Sequence, residues 1–458
     1  MTIFHFLAMI ILIFSTVVWN SSVARQDVNN THVIDILSII IKMKKISVLL
    51  KKHKESFNNL GYLGGMQVIN LVFPFIIYPH LINTIGAEQY GKALYYQGIC
   101  LLLAVFINYG FNLSSTRIIA SNKDNVEVIR KIYFSTVLSK LLLFVPVFII
   151  YILLGYFNVD DNDFLIYLLC AGPFISEIFI PIWLYQGSNK LKYSTYINLI
   201  LKAMLLIAIV CFVKDESDLY HYVLLMFLFH FIISSANVIV PFRYFNIKYV
   251  RIYPQDLVES YRDGFSVFLT SVFVAIKDKI NIVIVGHFFG GVEVVVYDFA
   301  MKVLNVTSIP KNVLITSFFP KVANSKDLDL AKNISVFVFG INVTMVVFSW
   351  IATYHLYNLL LPNVPSEYMY IVMSLVISIL PVGVSTCISR FVLVPYYYDK
   401  LLAKTVILNC VLYFFAIGTY KIFVEEYTLS GFTTVLLFTY FIEFIIRLFV
   451  LNMVRKKL

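Results

Sequence analysis

The sequence predicts an all-α polytopic membrane protein: twelve transmembrane helices in two six-helix, pseudo-repeated lobes around a central cavity, with a further apolar segment ahead of them. Three observations carry this expectation. The first is composition. Of 458 residues, 60% are apolar and 14% charged, and the mean hydropathy is +0.84. A soluble domain is roughly 45–50% apolar and about a quarter charged. One soluble core stops growing near about 250–300 residues, so it cannot hide this excess. The second is run length. The apolar runs are continuous over about 20 residues, the length of a spanning helix, and not the alternating segments of about 10 that build an outer-membrane barrel. The third is the alternation of basic residues between successive loops, set out below.

Residues 1–42 are read as an N-terminal extension. Thr2–Trp19 is apolar and of signal length, and Ser22-Val23-Ala24 resembles a cleavage site. No Lys or Arg precedes the apolar run, and export after cleavage would put the Lys44–Lys54 cluster outside. Val33–Ile41 is too short to recross a bilayer that needs about 20 helical residues. Either Thr2–Trp19 is an uncleaved extra helix with its N-terminus outside, or it is not made in the cell. The expectation is that the natural protein begins at Met43, ahead of Lys44 and Lys45.

Twelve spans follow. The first lobe, 43–252, holds Asn58–Ile85, Lys92–Leu113, Lys131–Phe157, Phe164–Gln186, Tyr193–Val213 and Leu219–Phe242. The second, 253–458, holds Asp263–Phe289, Val294–Pro320, Ile334–Asn358, Tyr368–Arg390, Lys404–Phe423 and Thr428–Met453. Each is a mainly apolar stretch of spanning length. Pro74 and Pro79 in span one, Pro173 and Pro181 in span four, Pro310 in span eight and Pro381 in span ten remove backbone bonds and predict kinks. Connections are too short for a separate domain.

With the segment before span one taken as cytoplasmic, alternating segments carry 24 Lys and Arg inside and three outside (Lys92, Lys214 and Lys421). Cytoplasmic loops are enriched in Lys and Arg, so both ends of the main body are expected in the cytoplasm. The same rule absorbs the net charge of +10 without nucleic acid. The halves align at a shift of about 205 residues, as expected of parallel repeats. Gly86-Ala87-Glu88 after span one matches Gly291-Val292-Glu293 after span seven. Arg117-Ile-Ile-Ala-Ser-Asn-Lys-Asp124 after span two matches Lys321-Val-Ala-Asn-Ser-Lys-Asp327 after span eight.

Seven basic residues remain at membrane depth (Lys140, Lys202, Lys277, Lys279, Lys302, Lys311 and Arg447), with four acids (Glu177, Asp278, Asp298 and Glu443). Each would cost about 2.5–3.5 kcal/mol against lipid near mid-span, so they imply a water-accessible interior. Its net positive sign favours an anionic, phosphate-bearing cargo and penalises organic cations; Lys binds phosphate as a point charge. Lys277, Asp278 and Lys279 follow one another in span seven and, about 100° apart on a helix, cannot share a face. Asp298 with Lys302, and Glu443 with Arg447, stand at i,i+4 and can pair. Glu177, Lys140 and Lys202 have no local partner and are expected at the cavity. Lys311 is equally readable as snorkelling to the cytoplasm. The candidate cargo contacts are Lys140, Lys202, Lys277, Lys279, Lys302 and Arg447; the carboxylates Glu177, Asp278, Asp298 and Glu443 are candidates for coupling to protons or a cation. Tyr95 and Tyr96 could stack on sugars, although packing is the commoner use.

Other chemistries find no footing. Cys100, Cys170, Cys211, Cys387 and Cys410 all lie in apolar runs without CxxC spacing, so neither disulfides nor a metal is expected. No Gly-rich nucleotide loop occurs, and no cofactor is expected. The predicted outer loops are short, and their acids (Asp160, Asp161, Asp163, Asp215, Glu216 and Asp218) have no His partners; His80 and His287 join no triad. An enzyme is therefore not expected.

The stretch Asn59–Asp124 resembles O-antigen and related polysaccharide flippases of the Wzx type, within the multidrug/oligosaccharidyl-lipid/polysaccharide exporter superfamily. The carrying residues are Asn59-Leu60-Gly61-Tyr62, Pro74-Phe75-Ile76-Ile77-Tyr78-Pro79, Ile85-Gly86-Ala87-Glu88-Gln89-Tyr90-Gly91 and Asn108-Tyr109-Gly110-Phe111-Asn112-Leu113-Ser114-Ser115-Thr116-Arg117, with Asn281-Ile-Val-Ile-Val-Gly286 in span seven. The last four spans match only in hydropathy, and the extension departs from the family. The resemblance implies a multi-pass protein of the bacterial cytoplasmic (inner) membrane. It would flip an undecaprenyl-diphosphate-linked oligosaccharide by alternating access for O-antigen- or capsule-type polysaccharide biosynthesis. Membrane lipids, proton or sodium coupling and a polysaccharide polymerase would be its partners. The alternatives are a cation- or proton-coupled multidrug exporter of the same superfamily, against which the positive interior argues, and a membrane polymerase or ligase, against which the loops argue.

Overall fold

The computed structural model describes residues 54–245, 247–424 and 427–455. The N-terminal extension, the expected start at Met43, Lys44, Lys45, Lys51 and Lys52, and Lys456 and Lys457 lie outside the described residues. Residues 59–458 form one compact unit, and the first described helix is Lys54–Thr84.

All regular structure among the described residues is helical. Ten helical stretches are long and apolar enough to cross a membrane. The other two expected passes are also helical. Span seven is Pro254–Phe288, and span eight is Gly291–Thr307 followed by Ile309–Ser325. These two carry Lys277, Asp278, Lys279, Asp298, Lys302 and Lys311, and those charges interrupt their apolar runs. Twelve passes in two six-helix sets therefore stand, with charge concentrated where the second set begins.

Several spans are broken helices. Span two runs Ala87–Asn108, turns at Tyr109 and Gly110, both left-handed, and restarts as Phe111–Ser121. Span four is three pieces: Asp161–Leu169, Gly172–Phe179 and Ile182–Gly187. Span eight breaks at Ser308, and span ten at Ser378 between Met369–Ile377 and Ile379–Ile388 before a π turn at Ser389–Leu393. Proline lacks the N–H that the preceding turn would use, and Pro173, Pro181, Pro310 and Pro381 each lie at or within three residues of a break. Spans four and ten break at corresponding points, each after a first helix of nine residues, which supports the duplication, whereas span eight breaks nearer its start than span two. The register needs one correction. Gly86 and Gly290 both take positive φ (82° and 128°) immediately before spans two and eight, so Gly290, and not Gly291, is the counterpart of Gly86.

The two sets of spans meet along spans two and seven and cross at spans two and eight. A Cβ on Gly91 would strike the Gly291 carbonyl, and one on Gly291 would strike the Glu88 backbone, so the two helices touch backbone to backbone. Glu88 then caps the partner helix: its carboxylate accepts from the Gly291 and Val292 N–H groups, both at 3.1 Å. Those N–H groups open a helix and carry its positive dipole end. Tyr95 packs beside Gly286 and Tyr96 lies edge-on to Tyr167 at 5.3 Å, so both are packing residues and the sugar-stacking expectation is not met. At the opposite end, Lys131 of span three pairs with Asp256 in the first turn of the span-seven helix at 2.7 Å. The Tyr253 N–H also donates to the Asp256 carboxylate at 2.9 Å.

Candidate functional site

A cavity of about 610 Å³ lies against spans two, seven, eight, ten and twelve. Its charged lining is Asp278 and Lys279 from span seven and Asp298, Lys302 and Lys311 from span eight, with Tyr297, Tyr440, Asn305, Ser308 and Ser378 as polar neighbours. Three amines against two carboxylates leave it positive. The helical rotation between consecutive residues explains span seven. Asp278 and Lys279 reach the cavity while Lys277 is turned into the bundle, where its Nζ lies 3.5 Å from Glu443 and 5.1 Å from the Tyr440 ring centre. Lys279 has no carboxylate within ion-pair distance among the described residues.

Asp298 and Lys302 pair on one face of span eight, and Tyr78 of span one donates its hydroxyl to the same Asp298 oxygen. Lys302 also lies 3.2 Å from the Tyr78 hydroxyl. This knot joins the first and second sets of spans at the cavity edge.

Other expected site residues lie elsewhere. Lys140, fully buried, pairs with Glu177 at 2.8 Å and also bonds the Glu177 carbonyl and Asn112; Asn108 donates to the same carboxylate. The expectation that both were unpaired cavity contacts is corrected: each is the other's partner, 37 residues away, across two spans. Lys202 contacts Asn70 at 2.6 Å and faces the Phe73 ring, away from the cavity lining. Glu443 accepts from Asn409 at 2.7 Å and Arg447 at 3.2 Å and faces Lys277, forming a closed cluster between spans seven, eleven and twelve. Lys277, Arg447, Lys140, Lys202, Glu177 and Glu443 therefore do not line the cavity. Lys311 is the converse. Only 4% exposed, it does not snorkel; it lines the cavity wall. Its span is broken at Ser308 beside Pro310, which is the sequence signal that this segment departs from a simple membrane-crossing helix.

Among the described residues no group of three His, Cys, Asp or Glu side chains could hold a metal ion. Cys100, Cys170, Cys387 and Cys410 are buried and Cys211 is exposed, all unbonded. His80 donates to the Val213 carbonyl at 3.0 Å.

Three amines and two carboxylates around one cavity can hold an anion. Comparison with known proteins bears on the fold and the family. A protein of Escherichia coli (strain K12) named for O-antigen transport is 24% identical over 284 residues, covering 60% of this chain and 67% of its own length. A Shigella dysenteriae protein with the same name is 25% identical over 413 residues, 87% of this chain and 99% of its own. The fold is similar to that of a solved structure described as the inward-facing conformation of a multidrug-resistance MATE-family transporter of the MOP superfamily, with a TM-score of 0.62 at 12% identity over 83% of this chain and 97% of that one. Residues 56–326 match the model of the family described as polysaccharide biosynthesis protein, and the chain belongs to that family.

Proposed function

We propose that the protein is a flippase for lipid-linked oligosaccharide repeat units. It carries an undecaprenyl-diphosphate-linked glycan across the bacterial cytoplasmic membrane by alternating access, for O-antigen- or capsule-type polysaccharide. The observation that carries this reading is the cavity's charge: Lys279, Lys302 and Lys311 against Asp278 and Asp298. A net-positive chamber attracts a diphosphate and repels the organic cations that a drug exporter takes. Its hydroxyl and amide lining suits sugar, and the cargo's tail stays in lipid. Family membership and the two relatives named for O-antigen transport support the same cargo class. Both ends of the main body are read as cytoplasmic from the loop charges, which puts the Gly86 and Gly290 turns on the outer side, where spans two and eight are closed upon each other. Protons or sodium are the proposed coupling ions. Asp278 and Asp298 are the carboxylates in reach of the cavity for that work, and a polysaccharide polymerase is the proposed consumer of the product.

The test is charge reversal at the one cavity amine that is accessible and without an ion-pair partner. Lys279→Glu turns the lining from net positive to net negative. Surface polysaccharide should fall to the level of a deletion strain, lipid-linked glycan should accumulate on the inner leaflet, and the amount of protein in the membrane should not change. Normal surface polysaccharide in that variant removes the reading. A deletion that sensitises cells to drugs while leaving surface glycan intact would favour the multidrug exporter instead.

A further inference from the structure

Lys311 presents a charge problem that the protein does not solve by itself. Its side chain is 96% buried, yet no carboxylate lies within ion-pair distance of it among the described residues. A buried ammonium without a counter-charge is costly, and proteins pair such groups or expose them. The carboxylate that span eight contributes to the cavity, Asp298, is already held by Lys302 and Tyr78. Beside Lys311 the wall is polar and unsatisfied. Ser378, fully buried and lining the same cavity, has a hydroxyl with no hydrogen-bond partner, and the fully buried Asn342 has an unpartnered carbonyl oxygen. Gly383 makes the space for Asn342 and for the Lys311 stem. A Cβ there would collide with the Asn342 amide and sit 3.4 Å from the Lys311 Cδ. Further along span ten, Thr386 and Arg390 line a second hollow of about 320 Å³, which continues the polar face of spans eight and ten towards the end rich in basic loops.

We infer that Lys311 and Ser378, with Gly383 holding room for the lysine stem and Asn342 behind it, form a phosphoryl-binding seat in the wall between spans eight, nine and ten. The counter-charge that Lys311 lacks is supplied by the ligand. An ammonium and a hydroxyl on two helices lining one cavity provide a charge-assisted and a neutral donor to phosphate oxygens. Lys302 is already paired with Asp298 and Lys279 is exposed to solvent, whereas Lys311 is buried with no counter-charge, so the diphosphate settles at Lys311. This rests on the reading of the cavity as the cargo's passage and locates the diphosphate within it.

The test uses the full chain in phosphatidylcholine nanodiscs, titrated with two probes, inorganic pyrophosphate and farnesyl diphosphate. Lys311→Met should weaken binding roughly tenfold or more, in keeping with the loss of a hydrogen bond to a charged group. Ser378→Ala should weaken it by a smaller factor, and Lys311→Arg should retain most of it. The melting temperature of Lys311→Met should be equal to or above that of the parent, because an unpaired buried charge has been removed. Farnesyl diphosphate binding without pyrophosphate binding assigns the seat to a lipid headgroup, and the reverse assigns it to free phosphate; both support the seat. Parent-like affinity in Lys311→Met, or a marked fall in its melting temperature, overturns it. If Lys279→Ala alone abolishes binding, the seat is wrong and the flippase reading stands. If the parent binds neither probe, the seat is wrong, and the flippase reading is then judged by surface polysaccharide in Lys279→Glu.

Discussion

Lys140 and Glu177 show how a membrane-buried charge is neutralised by residues far apart in sequence. The ammonium has Glu177 at 2.8 Å and Asn112 at 3.3 Å, and the carboxylate is also held by Asn108. Removing one member of such a pair leaves an uncompensated charge, at a cost of about 3–5 kcal/mol, whereas replacing both by apolar groups is close to neutral. Lys140→Met should therefore lower the melting temperature of the purified protein sharply, and adding Glu177→Leu should restore much of the loss. Additive losses in the double-mutant cycle would show that the two do not act as a pair. This is also where sequence reading stopped short. Asp298 with Lys302, and Glu443 with Arg447, are legible because i,i+4 geometry is local. The Lys140–Glu177 pair and the approach of Lys277 to Glu443 are set by helix packing over 37 and 166 residues, which no local spacing encodes. The net-positive interior is legible from counting, and Lys279, Lys302, Asp278 and Asp298 are among the candidates that reach the cavity; which other buried charges stay away from it, and that Lys311 reaches it, is not.

At the scale of elements, most breaks carry a proline signal, and spans four, eight and ten interrupt where Pro173, Pro181, Pro310 and Pro381 require it. Span two is different. Its hydropathy continues through Tyr109-Gly110-Phe111, so the apolar run hides two left-handed residues, and the expected single helix to Leu113 becomes two. The crossing of spans two and eight was equally hidden, since a glycine's value there depends on what lies opposite. Gly91 faces the Gly291 backbone with no room for a methyl group, and Glu88 caps the same helix start. Gly91→Ala should push the two helices apart at a cost of about 1–3 kcal/mol, as overpacking does. In a chain lacking its native cysteines, Met301→Cys at the cavity should be protected from a membrane-impermeant thiol reagent applied at the Gly86 and Gly290 end. It should become labelled when Gly91→Ala is added. Labelling that stays absent would show that this crossing is not the seal.

At the scale of the whole molecule, the two six-helix sets form one machine only if contacts between them can break and re-form at modest cost. Alternating access needs two arrangements within a few kcal/mol of each other. The first set reaches the second through the Gly91–Gly291 crossing, the Lys131–Asp256 ion pair and the knot of Tyr78, Asp298 and Lys302. Among these, the knot lies at the cavity's edge, so parting spans one and eight there must separate Tyr78 from Asp298. The phenol matters more than the ring, which also packs on Tyr90 and Phe299 at 5.5 and 5.8 Å. Tyr78→Phe keeps that packing and leaves the Asp298–Lys302 pair intact while deleting the hydrogen bond between the sets. A hydrogen bond to a charged group is worth about 1.5–3 kcal/mol, which shifts a two-state equilibrium by roughly tenfold or more. Spin labels on the ends of spans one and eight should report a larger fraction of the parted arrangement in Tyr78→Phe than in the parent, with melting temperature little changed. Distance distributions identical to the parent's would mean that this bond persists in both arrangements, and that the machine turns about some other contact.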